Sequence, residues 1–239
     1  MQRDFQTFGV AHNFALLLTL LTAVGLVCYA RRNPNEEVLR RIRYVIGTLL
    51  ITAVALDPIL SLYRYGFNEY GWSVVVDNSL PFYLCDVVSI MLAIALFKKS
   101  QRLAEIGYLW GLGGAMQGLI MPTLLFDWRE IEFYAFFLEH SGAPIAAAFL
   151  VWGLGIVPEK GAFRRAVWWS FGYVAVVMLI NVLIGENYGF LNGKPDAVTF
   201  FDYMGPWPYY LITLHAVAFS LYVILLGMAP EHKAAKDSF

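Results

Sequence analysis

The chain has 239 residues, of which 59% are hydrophobic, 16% aromatic and only 15% charged. Soluble domains carry about 25% charged residues, so this composition excludes an ordinary soluble domain and predicts a polytopic membrane protein. The 17 Lys and Arg residues form no basic cluster outside short loops, which leaves nucleic-acid binding without support. The two cysteines, Cys28 and Cys85, lie in separate apolar segments, and we expect neither a disulfide nor a cysteine-based metal site.

Seven apolar segments are long enough to cross a bilayer core of about 30 Å as helices. In chain order they cover roughly residues 9–30, 44–64, 79–97, 103–125, 131–157, 163–184 and 206–228. The segments between them are short and polar. The sequence therefore predicts an all-α bundle of seven transmembrane helices that forms one domain over residues 1–239.

The distribution of Lys and Arg between alternate loops predicts the orientation. Thirteen of these residues fall on one side, and four, Arg3, Arg64, Arg129 and Lys194, fall on the other. The N-terminus is therefore expected outside and the C-terminus in the cytoplasm. The lack of a long tail and of an N-glycosylation sequon suggests a multi-pass protein of a bacterial inner membrane.

The fourth segment contains four glycines, Gly107, Gly111, Gly114 and Gly118, at spacings of four and three residues. Small residues at this spacing let helices approach closely in lipid. A phosphate loop would need an aqueous strand-to-helix turn and a lysine, and this segment has neither. We expect these glycines to pack against neighbouring helices.

Polar residues within the predicted spans share one depth. At 1.5 Å per residue, nearly all of them lie within roughly 5–15 Å of the outer surface, and the cytoplasmic half of each span is almost purely apolar. The members of this layer are His12, Asn13, Asp57, Cys85, Asp86, Gln117, Glu139, His140, Asn181 and His215. Polar side chains in lipid are costly, so a layer supplied by all seven spans predicts a cavity open to the outer side or outer leaflet.

Cys85 is the candidate nucleophile of this layer. A thiol with an ordinary pKa of about 8.5 needs a base or a cation to become a thiolate, and His140 lies at the matching depth. The alternative role for Cys85 is packing, because free cysteine is a common small hydrophobe in cores. His140 could likewise form an ordinary hydrogen bond between helices.

The remaining members of the layer have open roles. Candidates for orienting the base or binding an oxyanion, with helix–helix hydrogen bonding as the alternative, are Asp57, Asp86, Gln117, Glu139, Asn181 and His215. His12 and His215 are also alternatives to His140 as the base. Asp86 points about 100° away from Cys85 around the helix, so we expect it to bond another helix rather than approach the thiol. Glu139 is offset from His140 in the same way.

The connection from Gly185 to Met204 is the one loop long enough to form a lid. It contains Asn187, Tyr188 and Lys194, and Trp207 follows it closely. Crowded aromatic residues at the start of a span are typical of a membrane interface. These four residues are therefore predicted lid or interface residues.

Three segments of the chain resemble a known family. They are LPFYLCD at 80–86, GENYGFLNGKP at 185–195 and DYMGPWPYY at 202–210. They are similar to the YwaF-like bacterial integral membrane proteins and to the mammalian transmembrane protein 164, over spans two to seven in the same order. The resemblance implies a heptahelical, cysteine-dependent acyltransferase that moves a fatty acyl chain from a phospholipid to a lysophospholipid without coenzyme A.

Carried onto this sequence, the resemblance implies that Cys85 is the nucleophile and His140 the base, 55 residues apart. The implied partners are membrane phospholipids and lysophospholipids. A thioester at Cys85 would carry the acyl chain, and the reaction would need no cofactor and no metal. The chain departs from the bacterial members at Tyr83, where they usually have histidine.

A transporter or channel is the alternative class. In that interpretation Asp57, Asp86, Glu139 and His140 form a binding or proton-relay site. The apolar cytoplasmic half offers no polar path, and the seven spans show no inverted repeat. A retinal photosensor is disfavoured because every lysine lies in a loop or at the end of a predicted span.

Overall fold

The computed structural model describes residues 5–195 and 199–231, which form helices and their connections with no strand among them. The helices are α1 (Val10–Arg32), α2 (Glu36–Tyr65), α3 (Glu69–Asn78), α4 (Leu84–Lys98), α5 (Gln101–Trp110), α6 (Met116–Ile120), α7 (Ile131–Ala148), α8 (Ala162–Ile184) and α9 (Tyr209–Met228). Two π-helical turns, Gly111–Ala115 and Phe149–Gly153, join α5 to α6 and extend α7. The prediction of an all-α fold is confirmed.

Five helices are long and apolar enough to cross a membrane, namely α1, α2, α7 with its π-helical turn, α8 and α9. The predicted third span is shorter than expected, because α4 begins at Leu84 rather than at residue 79 and has 15 residues. This length is about 22 Å, less than the ~30 Å hydrocarbon core. The predicted fourth span is divided by a π-helical turn and ends at Ile120. The count of seven spans therefore stays a prediction.

The orientation across the membrane also stays a prediction, because it rests on loop charges and not on the fold. Three of the residues counted for it, Arg3, Lys233 and Lys236, lie outside the described part of the chain.

The residues between α2 and α4 form a helix, α3, that the sequence analysis did not predict. The Asn68 side chain caps its N-terminus by accepting a hydrogen bond from the Gly71 amide at 3.0 Å, an ordinary role for asparagine. The α3 helix packs against α2. The chain therefore enters α4 through a short turn at one end of the bundle.

The α4 helix is central and packs against α2, α5 and α7. Five of its apolar side chains are fully buried, at Val88, Leu92, Ala93, Ala95 and Leu96. A Cβ atom on Gly107 would lie 2.6 Å from Leu92 Cδ2, and one on Gly114 would lie 2.6 Å from Leu84 Cδ2. The expectation that these two glycines allow close helix packing is confirmed.

The bundle has two distinct ends. The loop end carries the connections 66–83 and 121–130, together with the described residues 185–195 and 199–208. At the opposite end, Arg165 donates two hydrogen bonds to Glu105, at 2.6 Å and 2.7 Å. Glu105 is fully buried, and this ion pair joins α5 to α8.

Candidate functional site

Cys85 lies in the first turn of α4, beside two buried carboxyl groups. Its sulfur and one carboxylate oxygen each of Asp86 and Glu139 all lie within 4.8 Å of one another. Asp86 is 8% exposed and Glu139 is 7% exposed, whereas Cys85 is partly buried. We refer to these three residues, from α4 and α7, as the thiol–carboxyl cluster.

Asp86 is placed by the way α4 begins. The backbone of Tyr83 is extended at the helix start, and its amide donates a hydrogen bond to Asp86 Oδ2 at 3.1 Å. A carboxylate is favourable at this position, since the first amides of a helix lack intrahelical partners. Asp86 also interacts with Glu139 of α7, in line with the expectation that it bonds another helix, although its carboxyl lies closer to Cys85 than the sequence suggested.

The Cys85 sulfur lies near both hydrogen-bond donors and carboxyl groups. The backbone amides of Cys85 and Asp86 lie near the sulfur, and amide donors at a helix N-terminus favour a thiolate. Two carboxyl groups this close in a buried site repel each other when both are charged. Glu139 Oε1 is buried and has no hydrogen-bond partner within the described residues, which leaves it available to take up a proton. The three donor atoms could also share a metal ion, an arrangement that the cysteine spacing did not predict.

Asp57 adds a third carboxyl group near the cluster. It lies on α2 with an exposed side chain, and its charge interacts with those of Asp86 and Glu139. From the sequence, Asp57 is a candidate for orienting His140. The structure places it beside the cluster, where it forms no hydrogen bond to that histidine.

The His140 side chain faces Phe136 and Gly118 rather than Cys85. Its Nδ1 atom bonds the Phe136 carbonyl at 3.0 Å, and its ring stacks on the Phe136 ring at 3.9 Å. Its Nε2 atom faces Gly118, where an added Cβ would lie 2.9 Å away. No hydrogen bond between His140 and Cys85 is present in the described part of the chain. The role of His140 as the base stays a prediction, and its neighbour Glu139 is the residue that the structure brings to the thiol.

The two alternative histidines lie elsewhere. His12 is fully buried. Its Nδ1 accepts a hydrogen bond from the Phe8 amide at 2.8 Å, and its Nε2 bonds the Leu119 carbonyl at 2.9 Å. Both ring nitrogens are therefore occupied, and neither can act as a base in this conformation. His215 stacks on Phe171 and forms no hydrogen bond with the cluster in the residues described.

The two predicted amide candidates differ in their contacts. Asn181 is buried and donates to the Tyr188 carbonyl and to Asn192 Oδ1, both at 2.9 Å. Its own Oδ1 accepts from the Tyr188 amide at 2.8 Å. With both N–H groups used, Asn181 has no donor for an oxyanion and instead organises the following loop. The Gln117 side chain is partly buried and makes no hydrogen bond within the described residues.

The predicted lid lies directly over the start of α4. Tyr188 is fully buried, and its hydroxyl donates to the Val76 carbonyl at 2.7 Å and accepts from the Leu80 amide at 3.0 Å. Its ring packs against that of Tyr83 at 4.9 Å. Residues 185–195 of this connection are therefore fastened to the segment that leads into Cys85.

The other predicted lid residues stabilise this loop internally. The Asn187 side chain donates to the Gly193 carbonyl at 3.0 Å, and Trp207 donates to the Leu191 carbonyl at 3.1 Å. Lys194 is partly buried in the same loop. The loop is thus a folded cap, although its role as a functional lid stays a prediction.

Tyr173 is a residue near the site that the sequence analysis missed. Its hydroxyl donates to the Phe82 carbonyl at 2.9 Å and lies near enough to Cys85 and Asp86 for their charges to act on it. A tyrosine within an apolar span resembles a core aromatic residue in sequence. Its depth, close to the middle of the predicted sixth span, was the available signal.

Together, the fold and this site define an all-α integral membrane protein whose central helix presents a thiol beside two buried carboxyl groups. The chain belongs to the TMEM164 family, whose family model matches residues 7–226. The predicted resemblance is therefore confirmed at the level of the family. No curated protein and no solved structure matches the chain.

Proposed function

We propose that this protein is a membrane-embedded acyltransferase. It moves a fatty acyl chain from a phospholipid to a lysophospholipid through a thioester at Cys85. The observation that carries this proposal is the thiol–carboxyl cluster, which places the thiol of a partly buried residue within 4.8 Å of a proton acceptor. A nucleophile with an adjacent base is the usual arrangement for covalent acyl transfer. No diffusible cofactor is needed for such a reaction.

The first half-reaction cleaves the donor ester. The Cys85 thiol gives its proton to the Glu139 carboxylate, and the sulfur attacks the ester carbonyl carbon. A carbon–sulfur bond forms, the bond to the glycerol oxygen breaks, and that oxygen takes the proton back from Glu139. The products are a lysophospholipid and an acyl-Cys85 thioester.

The second half-reaction passes the acyl chain to the acceptor. A lysophospholipid hydroxyl gives its proton to Glu139, and its oxygen attacks the thioester carbonyl carbon. The carbon–sulfur bond breaks, and the departing Cys85 sulfur receives that proton. With water in place of the acceptor, the same steps would release a fatty acid.

The N-terminus of α4 is our candidate for stabilising the oxyanion. The first amides of a helix have no intrahelical partners, and preorganised N–H donors at a developing negative charge are a major source of catalysis. The amides of Cys85 and Asp86 already lie at the sulfur. They take the role that the sequence analysis considered for Gln117 and Asn181.

The base can be assigned by comparing two variants. Glu139→Gln keeps the size of the side chain and removes the proton acceptor beside the thiol. Removing a general base typically costs about 10²–10⁴-fold in rate, so we expect a loss of this size. His140→Gln should cost less than tenfold if Glu139 is the base, and the reverse order would return that role to His140.

The activity can be measured in proteoliposomes that contain a phospholipid with an isotope-labelled acyl chain. An unlabelled lysophospholipid with a different headgroup serves as the acceptor. We expect labelled product without coenzyme A from the native protein and from Cys28→Ala, and none from Cys85→Ala. Equal transfer by Cys85→Ala and Cys28→Ala would refute the role of Cys85.

Proton-coupled transport is the second candidate, since Asp57, Asp86 and Glu139 together could carry protons. Against it, the α4 residues on the other side of the cluster, such as Val88 and Leu92, are apolar and fully buried. Transport that persists at the native rate in Cys85→Ala would favour this candidate. On the orientation predicted from the loop charges, either activity would be exposed to the outer leaflet of a bacterial inner membrane.

A further inference from the structure

A long apolar groove runs along α8 on the outside of the bundle. Its volume is about 530 Å³, within the range of about 300–1,000 Å³ typical of small-molecule sites. Residues from three parts of the chain line it, among them Phe82, Val87, Trp110, Trp169, Tyr173 and Val177. The thiol–carboxyl cluster does not itself form this groove, so the groove needs a separate explanation.

We propose that this groove binds the hydrocarbon chain of the phospholipid that donates its acyl group to Cys85. The inference rests on the proposed acyltransferase function and adds a binding site for one part of the substrate. Its occupant is one acyl chain, held with its ester end toward the N-terminus of α4.

One side of the groove is formed by residues at the start of α4, close to Cys85 in the chain. Phe82 and Val87, which line it, precede and follow Cys85 by three and two residues. Tyr173 also lines the groove, and its hydroxyl lies near the Cys85 thiol. We therefore expect the hydrocarbon chain of an ester bound at the sulfur to reach this groove.

The length of the groove suits a single lipid chain. Its lining residues on α8 extend from Trp168 to Ile180, a distance of about 18 Å at 1.5 Å per residue. One leaflet contributes about 15 Å, half of the ~30 Å hydrocarbon core. A chain that begins near the loop end could therefore be covered along most of one leaflet.

The lining of the groove is chemically suited to hydrocarbon. Trp110 donates its indole N–H to Ser170 at 3.2 Å, and Tyr173 donates its hydroxyl to the Phe82 carbonyl at 2.9 Å. These polar atoms are satisfied within the protein, so the aromatic rings offer their apolar faces to an occupant. Such a surface favours an alkyl chain over a polar ligand.

Gly172 provides room in the middle of the groove. It lines the groove, and a Cβ atom added there would meet no other atom within 4 Å. Glycine inside a helix is unfavourable relative to alanine, so it is not used here for helix stability. Since the Cβ position is open, we expect a larger side chain at this position to extend into the groove.

The test uses Gly172→Phe with Gly25→Phe as a matched control. Gly25 is an exposed glycine within α1, and a Cβ there also meets no atom within 4 Å. Both variants add the same apolar side chain to a helix, but only one fills the groove. A smaller variant, Gly172→Leu, guards against misfolding, and thermal unfolding of all three is compared with that of the native protein.

Chain binding is measured with a phosphatidylcholine that carries a photoreactive diazirine near the end of one acyl chain. We expect crosslinks on residues 168–180 that saturate as the probe fraction rises, because annular lipid gives a response without saturation. Gly172→Phe should reduce the saturable fraction roughly tenfold, which corresponds to displacing about two methylene groups from the groove. Gly172→Leu should reduce it less, and Gly25→Phe should leave it unchanged.

Crosslinking that does not saturate would overturn the inference. An equal change in crosslinking in Gly172→Phe and Gly25→Phe would also overturn it. Cys85→Ala separates this outcome from a failure of the proposed function. Saturable crosslinks that persist in Cys85→Ala support the groove as the chain site irrespective of the chemistry. If the native protein transfers acyl chains and Gly172→Phe transfers both long and short chains at the same rate, the proposed function would stand. The groove would then not be the binding site for the acyl chain.

Discussion

Removing one hydroxyl group should loosen the cap over the thiol–carboxyl cluster. The Tyr188 hydroxyl donates to the Val76 carbonyl and accepts from the Leu80 amide, at 2.7 Å and 3.0 Å. Tyr188→Phe leaves both backbone groups without this partner. An unsatisfied buried polar group costs about 1–3 kcal/mol. Because water can replace part of the loss at these partly buried positions, we expect about 1–3 kcal/mol in total.

The effect should be visible at Cys85 itself. In a Cys28→Ala background Cys85 is the only cysteine of the chain, so maleimide labelling in detergent micelles reports its exposure. If opening of the cap limits labelling, a change of 1–3 kcal/mol should raise the rate by about 5–150-fold. The melting temperature should fall in the same variant.

The matched control is Tyr209→Phe, since Tyr209 lies at the same end of the bundle but is 66% exposed. It should change neither the labelling rate nor the melting temperature appreciably. Equal labelling rates for Tyr188→Phe and Tyr209→Phe would refute the view that the cap is fastened over Cys85 by the Tyr188 hydroxyl.

Two further predictions concern charged groups outside the cluster. Arg165→Ala should lower the free energy of unfolding by about 3 kcal/mol because it removes the two hydrogen bonds to the fully buried Glu105 carboxylate. Glu37→Ala, at an exposed ion pair, should lower it by less than about 1 kcal/mol, and similar losses would contradict the burial argument. Partial burial and then the neighbouring Asp77 carboxyl raise the pKa of Glu186. The protonated form of Glu186 therefore stabilises the folded protein, and this stabilisation should be lost as the pH rises from the usual glutamate pKa of about 4.3 through the raised value. Thermal unfolding between pH 4 and 8 should therefore depend less on pH in Glu186→Gln, and an unchanged profile would contradict the assignment.

The features that the sequence predicted well are those set by local pattern. Long apolar runs predicted an all-α protein, and the spacing of Gly107 and Gly114 predicted close packing against α4. Both signals arise within one segment and need no knowledge of its neighbours.

The features that the sequence predicted poorly depend on where a helix begins and which atoms it meets. Cys85 was expected about two turns inside a span, but α4 begins at Leu84 and puts it in the first turn. Asp86 caps the start of that helix. The ideal 100° rotation between neighbouring helical residues does not predict such a capping contact. The approach of Glu139 also depends on how α7 is rotated against α4. The backbone partners of His12 come from two separate segments and give no sequence signal.

The most direct test of the central claim is intact-protein mass spectrometry after incubation with phospholipid vesicles. We predict a mass increase equal to one acyl chain that hydroxylamine removes. The adduct should persist in Cys28→Ala, disappear in Cys85→Ala, and accumulate when no lysophospholipid acceptor is supplied. An acyl adduct that remains in Cys85→Ala, or no adduct on the native protein while acyl transfer proceeds, would contradict a covalent mechanism at Cys85.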